Sequence, residues 1–388
     1  MASIAVSEIL LAISLAALLM SGAKLRLPRI WLPIALWMLA TALSMAFSDQ
    51  PAAGLPAIRK FYLFLELLVV FSTFDLIWTR RLFWTWAGLG AASAAWGCVQ
   101  FVHRISQARQ LQRPFYVFYM SDRRITGFMS HWNTFSAQMM FVVLFVIAFL
   151  LFATKVRAPW NWLAAACGAI AAAAMVLGFT RIIVFMACPV AILYLVWWWK
   201  RWLVAVLPLV ALAAVLVSPA PLKERFESIF HPRKDVDSND FRRVTFRTGL
   251  EMIKAHPLLG VGPERANQAG GLFDQYVPKD IPRPLPVGWY GHLHSLYIHY
   301  AAERGIPAML ILVWLLLEMA WDFWRGTRNL PARSDAKFVL HAATAVVIGV
   351  VLEGFFEVNL GISGVLGMFL AVAACGYVAL ETLEKADA

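Results

Sequence analysis

The chain has 388 residues, of which 61% are hydrophobic and 15% charged, and its net charge is +11. Soluble domains are usually about half apolar and about a quarter charged, so this composition excludes an ordinary soluble fold. The basic residues gather mostly at the ends of apolar runs, which argues against a nucleic-acid partner and indicates signals for membrane topology.

Apolar runs recur along the chain, and a run of roughly 20 residues is long enough to cross a bilayer core of about 30 Å. We therefore predict an all-α fold, a polytopic transmembrane helical bundle of about eleven or twelve spans. The first run has no basic n-region or small-residue cleavage site, so we expect a retained span and not a signal peptide. The predicted spans are 3–22, 30–47, 61–78, 82–102, 134–153, 161–179, 182–199, 202–218, 306–324, 338–356 and 363–381.

Basic connections between these spans fall on one side, which the positive-inside rule assigns to the cytoplasm. They carry Lys24, Arg26, Arg29, Arg80, Arg81, Lys155, Arg157, Lys200, Arg201, Arg325, Arg328, Arg333 and Lys337. The opposite, exoplasmic side receives the segments 48–60, 103–133 and 219–293. We accordingly divide the chain into transmembrane helices with short loops over 1–218, a large periplasmic loop with short helices over 219–293, and C-terminal transmembrane helices over 294–388.

The exoplasmic segment 103–133 is short, yet it contains five arginines and no lysine. Membrane topology does not explain this surplus, and a guanidinium group binds phosphate oxygens in a bidentate manner. The segment therefore favours an anionic partner such as a lipid phosphate or a pyrophosphate. A basic rim that contacts phospholipid head groups is the alternative.

Further arginines occur at two other places. Arg181 lies at the junction of two apolar runs, where an unpaired cation is costly, so it indicates a cavity that holds an anion; a snorkelling interfacial arginine is the alternative. Residues 240–255 follow a period near 3.6, which predicts an amphipathic helix with Asp240 as N-cap. On this helix Arg243 and Arg247 share a face, and the alternative to an anion site is a solvated basic face.

The segment 291–310, GHLHSLYIHYAAERGIPAML, places ionisable groups where a polar stretch re-enters the apolar sequence. His292 and His294 form an H-x-H pair, but in a helix they point about 200° apart. They then cannot chelate one ion together, and we predict no metal site. One neutral imidazole within reach of a sugar hydroxyl suits general-base chemistry better. His299 lies one turn before Glu303, and we interpret it as a packing residue.

The stretch HSLYIHYAAERGIPAML resembles the signature of the O-antigen ligase/polymerase superfamily, with Pro-Ala in place of a second glycine. Three further stretches resemble motifs of that family and occur in the expected order. They are RITGFMSHWNTFSAQM (124–139), LGFTRIIVFM (177–186) and FRRVTFRTGLEMIKAHPLLGVG (241–262). The resemblance covers about residues 124–325, while the first third of the chain matches only in topology.

By this resemblance His294 corresponds to the family's essential histidine, and Arg181 and Arg242 to its two essential arginines. The family implies an inverting, metal-independent glycosyltransferase without a cofactor, in the bacterial inner membrane with an active site that faces the periplasm. Its donor is a glycan linked to undecaprenyl pyrophosphate. We expect contacts to the substrate or its pyrophosphate from Arg123, Arg124, Asn133, Arg243, Arg247, Arg265 and His292.

The acceptor remains open at this stage. The single large exoplasmic loop before the histidine motif favours a ligase that transfers O-antigen to lipid A–core, within lipopolysaccharide biosynthesis. A polymerase with a second lipid-linked glycan as acceptor is the nearest alternative, followed by a protein O-oligosaccharyltransferase. A transporter or flippase for lipid-linked oligosaccharides belongs to a different class. It predicts ionisable groups at mid-membrane and pseudo-symmetric halves, whereas here the unusual charges gather on one face.

Overall fold

The computed structural model describes residues 4–155, 157–233, 239–266, 272–286 and 292–387. These residues form helices and connecting loops, with no β-strand among them. The α-helices are α1 (Ile4–Met20), α2 (Trp31–Ala46), α3 (Leu55–Arg59), α4 (Phe64–Thr73), α5 (Leu76–Gln110), α6 (Phe115–Met120), α7 (Trp132–Phe152), α8 (Ala158–Leu177), α9 (Cys188–Trp199), α10 (Leu203–Val217), α11 (Ala220–Glu227), α12 (Asn239–Ala255), α13 (Leu272–Tyr276), α14 (Leu296–Gly326), α15 (Asp335–Glu353) and α16 (Ser363–Asp387). A π-helical turn, Ile183–Ala187, precedes α9, and short 3₁₀ turns cover Pro51–Gly54, Lys60–Leu63 and Asn359–Gly361.

Among the described helices, five are long and apolar enough to cross a membrane: α7, α8, α14, α15 and α16. Four shorter apolar segments accompany them, in α1, α2, α10 and the π turn with α9. The predicted fold class, an all-α polytopic bundle, is confirmed, and the protein is a multi-pass membrane protein.

One predicted boundary is wrong. The spans 61–78 and 82–102 were expected to meet at a loop that contains Arg80 and Arg81. Instead α4 ends at Thr73, and a single helix of 35 residues, α5, begins after Asp75. The Asp75 carboxylate accepts a hydrogen bond of 2.8 Å from the Trp78 N–H, so this side chain caps the helix five residues before the predicted break.

The predicted cytoplasmic loops meet at one end of the bundle. Arg26 forms an ion pair with Glu381, and Arg80 Nη1 lies 3.1 Å from Asp335 Oδ2. The Ser334 N–H donates a hydrogen bond of 2.9 Å to the Phe152 carbonyl, which joins the end of α7 to the start of α15. Basic connections that are distant in sequence therefore occupy the same end, as the alternation of basic loops predicted.

Helices α7, α15 and α16 form the centre of the bundle, and most of their side chains are buried. Phe149 of α7 stacks on Phe83 of α5 with ring centroids 4.6 Å apart, and Phe338 of α15 packs on both rings. Lipid chains are as apolar as these residues, so close van der Waals packing must supply the stabilisation. The buried centre gives the loops at its ends a rigid support.

The junction between α12 and α14 determines how the motif that follows α12 meets the motif that contains His294. Main-chain hydrogen bonds join the motif HPLLGVG to the motif AAERGI: Gly262 N–H donates to the Glu303 carbonyl at 2.9 Å, and Ile306 N–H to the Pro257 carbonyl at 2.8 Å. Gly305 has φ +84° and kinks α14 at this contact. A methyl group there would lie 1.9 Å from the Leu258 carbonyl oxygen, so only glycine permits the approach.

Two further details differ from the sequence predictions. Asp240 lies inside the first turn of α12, which starts at Asn239, so the predicted N-cap is wrong. Helix α14 starts at Leu296, ten residues before the predicted span, because Ser295 caps it and Gly305 lets the helix bend without ending. The segment 219–293 contains α11, α12 and α13, while its parts 234–238, 267–271 and 287–291 lie outside the described residues.

Candidate active site

A buried carboxylate, Glu357, brings three of the sequence motifs together in the connection between α15 and α16. Its side chain is 1% exposed. Arg242 Nη2 contacts Oε1, and Asn133 Nδ2 donates a hydrogen bond of 2.9 Å to Oε2. His294 Nδ1 lies 3.6 Å from the same oxygen. These four residues, Asn133, Arg242, His294 and Glu357, are called the Glu357 cluster below.

The position of His294 follows from the backbone around it. The Leu296 N–H donates a hydrogen bond of 2.7 Å to the Gly354 carbonyl, which fixes the start of α14 beside the loop that carries Glu357. His294 itself adopts φ +49°, a left-handed conformation that few non-glycine residues adopt. Phe241 packs edge-on against its ring, with centroids 4.8 Å apart. Unusual backbone of this kind often occurs at functional sites.

Thr180 joins the fourth motif to the cluster. Its hydroxyl lies 3.3 Å from Asn133 Oδ1 and 3.1 Å from Ser136 Oγ, so the amide that donates to Glu357 is held from behind. The next residue, Arg181, donates from Nη1 to the Ser228 carbonyl at 2.7 Å and from Nη2 to Asn239 Oδ1. Arg181 is thereby tied to the start of α12, the helix that carries Arg242.

A groove of about 520 Å³ lies between the two arginines. Arg181, Asn239 and Arg242 are its polar lining residues. The remaining lining residues are apolar: Ile182, Phe185, Met186, Ile229 and Phe356. An apolar groove with two guanidinium groups suits an amphiphile with an anionic head.

A second cavity, of about 320 Å³, reaches the cluster at Asn133. Asn133 and His292 line it together with His131, so Glu357 contacts residues of both cavities through Arg242 and Asn133. Its cations are paired: Lys60 Nζ lies 3.5 Å from Glu264, and Arg304 Nη1 lies 3.0 Å from Glu303. The lining thus mixes apolar side chains with polar groups whose charges are largely balanced, and the polar groups suit hydroxyls. It is called the polar cavity below, to distinguish it from the more apolar groove.

The charge of Glu357 is set by its neighbours. Burial by itself raises the pKa of this carboxyl group, but the charge of Arg242 and the interaction with His294 outweigh burial and lower the pKa below its usual range. Glu357 is therefore ionised at neutral pH. An ionised acceptor beside Nδ1 favours the imidazole tautomer that carries its proton on Nδ1 and keeps Nε2 as a base.

Arg124 lies close to the cluster. Its guanidinium stacks at 3.9 Å on the ring of Trp132, the residue that precedes Asn133. Its Nε is buried and makes no hydrogen bond among the described residues. Burial, followed by the charge of Arg225, lowers the pKa of Arg124 to about 9. A cation in this environment is stabilised when an anion binds beside it. Arg123, by contrast, is exposed and stacks on Phe118.

Three other predicted anion contacts lie elsewhere. Arg247 forms a bidentate ion pair with Asp280, with both N–O distances at 2.8 Å. Arg243 is exposed, and its charge also acts on Asp280. Arg265 is buried with Nη1 3.8 Å from Asp49. The structure does not bring these three arginines to the Glu357 cluster.

The argument that His292 and His294 point apart on a helix, and so cannot share a metal ion, is wrong. Residues 292–295 precede α14 and are not helical, so the rings of His292 and His294 lie with centroids 4.7 Å apart. A carboxylate also completes the set, since ligand atoms of both histidines and Glu357 all lie within 4.8 Å of one another. The sequence offered one signal for Glu357. It is an acidic residue directly after the predicted span 338–356, at the exoplasmic end of that span, where the arginines of the other motifs are also expected.

The fold and the site define a multi-pass membrane protein with an imidazole, a carboxylate and several guanidinium groups at one end of its bundle. A family model described as O-antigen ligase matches residues 166–313, so the resemblance seen in the motifs is confirmed over that segment of the chain. The match supports an enzyme in general terms. No curated protein matches the chain significantly. The matched segment contains Arg181, Arg242 and His294, whereas Asn133 and Glu357 lie outside it.

Proposed function

We propose that the protein is an O-antigen ligase of the bacterial inner membrane. In this proposal it transfers O-antigen polysaccharide from undecaprenyl pyrophosphate to lipid A–core, at a site that faces the periplasm. One observation carries the proposal: the Glu357 cluster holds an imidazole and a guanidinium group on one carboxylate, and it borders an apolar groove at Arg242 and the polar cavity at Asn133. Each cavity suits one of two different substrates.

The groove is the proposed site of the donor. Its apolar walls fit the end of a polyprenyl chain, and Arg181 and Arg242 face the space where a pyrophosphate would lie. Arg242 still has an Nε–H group without a hydrogen-bond partner among the described residues. Guanidinium groups near the leaving oxygen stabilise the negative charge that develops as the glycosidic bond breaks. They do this without a metal ion.

The polar cavity is the proposed site of the acceptor sugar. The acceptor oxygen attacks the anomeric carbon from the side opposite the pyrophosphate, a new glycosidic bond forms, and the bond from that carbon to the pyrophosphate oxygen breaks. Inversion follows from this geometry. The hydroxyl proton passes to His294 Nε2, and Glu357 stabilises the resulting imidazolium from the Nδ1 side. Undecaprenyl pyrophosphate leaves with the bonding electron pair.

Arg124 is proposed to complete the anion site. It is near enough to Glu357 for their charges to interact, and it stacks on Trp132 without a carboxylate within ion-pair distance among the described residues. His292 and Asn133 line the acceptor cavity and are proposed to contact the acceptor. Arg123, Arg243, Arg247 and Arg265 have no such support from their positions.

The test is transfer by the purified protein in proteoliposomes that contain a lipid-linked glycan donor. One arm adds lipid A–core, and the other contains donor alone. We expect a product of lipid A–core plus glycan in the first arm and no lengthened donor in the second. A lengthened donor without product on lipid A–core would instead show a polymerase.

A transport assay in the same vesicles distinguishes the enzyme from a transporter or flippase, the alternative of a different class. Donor that crosses the bilayer with no new covalent product would show a flippase and contradict the proposal. A His294→Asn protein serves as control in every arm, because it keeps the polar side chain and removes the base. Transfer in the presence of a chelator is expected, and loss of transfer with the chelator would contradict the metal-free mechanism.

A further inference from the structure

We propose that His292, His294 and Glu357 form a binding site for a divalent transition-metal ion such as Zn²⁺, and that the bound ion blocks the site. Nitrogen atoms of the two imidazoles and a carboxylate oxygen lie within 4.8 Å of one another. Two histidines and one carboxylate are a common set of zinc ligands in proteins, with a water in the fourth position. The inhibitory part of this inference rests on the proposed function; the binding part does not.

The distances leave room for a shared ion between the two side chains. His294 Nδ1 and Glu357 Oε2 are 3.6 Å apart, which is too long for a good hydrogen bond. Ligand atoms at tetrahedral zinc lie about 3.3 Å from each other, given bonds of about 2.0–2.1 Å. His294 Nδ1 is also buried and has no hydrogen-bond partner among the described residues. Small shifts of these side chains, from a spread of at most 4.8 Å, would bring the three ligand atoms to that spacing.

The surroundings direct an ion to one oxygen of the carboxylate. Arg242 contacts Oε1, whereas Oε2 faces Asn133 and His294. An ion on the Oε2 side is therefore separated from the guanidinium charge by the carboxylate itself. His292 lines the polar cavity, which gives a hydrated ion a route to the site. Hard ions such as Mg²⁺ prefer all-oxygen ligands, so the two imidazoles favour Zn²⁺, Co²⁺ or Cu²⁺.

Binding has a direct consequence for the base. A metal ion on His294 Nδ1 leaves the ring proton on Nε2, and that nitrogen can then no longer accept the proton of an acceptor hydroxyl. The ion also neutralises the carboxylate that stabilises the imidazolium. The occupied protein is therefore inactive while its fold and its two cavities stay the same.

Co²⁺ titration of the full chain in detergent tests the binding step, with protein purified through a tag that has no histidine. Tetrahedral Co²⁺ with nitrogen ligands has intense visible bands, which free Co²⁺ lacks. We expect one equivalent of Co²⁺ to give these bands and Zn²⁺ to remove them. His292→Ala and His294→Asn should each weaken binding by about 100-fold or more, while His256→Ala, an exposed histidine bonded to Tyr276, should change nothing.

The outcomes separate the two parts of the inference. Bands that are absent in the wild type, or that persist in the double variant His292→Ala/His294→Asn, would overturn the metal site. A matching melting temperature of each variant shows that a lost band reflects lost ligands. Zn²⁺ is expected to stop glycan transfer at the concentration that fills the site. Stoichiometric binding with undiminished transfer would leave the site in place and overturn the role of His294 as base.

Discussion

Arg242 and Glu357 lie 115 positions apart in sequence, and their side chains form an ion pair at the end of the bundle. Glu357 is 1% exposed and Arg242 26% exposed, so the pair joins a buried anion to a cation that borders the groove. Removal of one partner from such a pair leaves an uncompensated charge, which is more costly than loss of an exposed ion pair. Glu357 thus holds the arginine and the imidazole in one arrangement.

The first prediction concerns this carboxylate. Glu357→Gln keeps the shape and the hydrogen bond from Asn133 but removes the charge that faces Arg242 and His294. We expect kcat for glycan transfer to fall by about 100-fold or more, because the imidazolium loses its stabilising partner. The measurement is the initial rate at saturating donor and acceptor.

Glu251→Gln is the matched control, since Glu251 lies on α12 and forms an exposed pair with Lys254. That change should leave the rate within about twofold, as expected for an exposed pair. Equal rate losses in both variants, or an unchanged rate in Glu357→Gln with folded protein, would contradict the role assigned to Glu357.

The sequence alone predicted the parts of the site that lie in recognisable motifs. Arg181, Arg242 and His294 stand out because charges at the ends of apolar runs need a reason, and their motifs occur in a known order. Glu357 lies outside these motifs, and its role depends on contacts with residues 63 to 224 positions away. No local pattern encodes such contacts.

Hydropathy predicted which segments form apolar helices, but it did not predict where the helices begin and end, because single capping residues decide that. Hydropathy identified the apolar runs, yet it placed the break between two spans at Arg80 and Arg81 because charges usually mark loops. Asp75 overrode that pattern through one capping hydrogen bond. The assumption that His292 and His294 lie in a helix failed because α14 begins only at Leu296, after the Ser295 cap.

The second prediction uses the left-handed backbone of His294, whose φ is +49°. Asparagine adopts this conformation more readily than alanine. We expect His294→Asn and His294→Ala to lose about 10²–10⁴-fold in kcat alike, because neither supplies a base. His294→Asn should melt at a higher temperature than His294→Ala. Near-normal transfer by either folded variant would remove the catalytic role, and an inverted order of melting temperatures would contradict the backbone argument.

The third prediction separates two arginines of one helix. Arg242→Lys keeps the charge but loses the planar fork, so we expect transfer to fall by at least about tenfold. Arg247→Lys changes a residue that is paired with Asp280 away from the cluster, and its rate should stay within about twofold of the wild type. Initial rates of both variants decide the matter. A larger loss in Arg247→Lys would show that the pyrophosphate binds at the face of α12 that carries Arg247, and not at the face that carries Arg242.

The fourth prediction concerns donor binding by Arg124. Arg124→Gln retains hydrogen-bond donors and removes a positive charge that is held over Trp132. We expect KM for the donor to rise several-fold while KM for lipid A–core stays the same, because the lost interaction is with an anion. Arg123→Gln, at the exposed neighbouring position, is the control and should leave both constants unchanged. A rise in the acceptor KM instead would show that Arg124 acts on the acceptor and not on the donor.

The fifth prediction tests the junction that sets α12 against α14. Gly305→Ala places a methyl group 1.9 Å from the Leu258 carbonyl oxygen at a residue with φ +84°. The main-chain hydrogen bonds between the two motifs must then lengthen, and Arg242 moves relative to His294. We expect a melting temperature lower by several degrees and a fall in transfer, measured on the same preparation. Gly88→Ala in α5 meets no atom within 4 Å and should preserve both quantities. If Gly305→Ala behaved like Gly88→Ala, close approach of these motifs would not be what positions the arginine and the histidine.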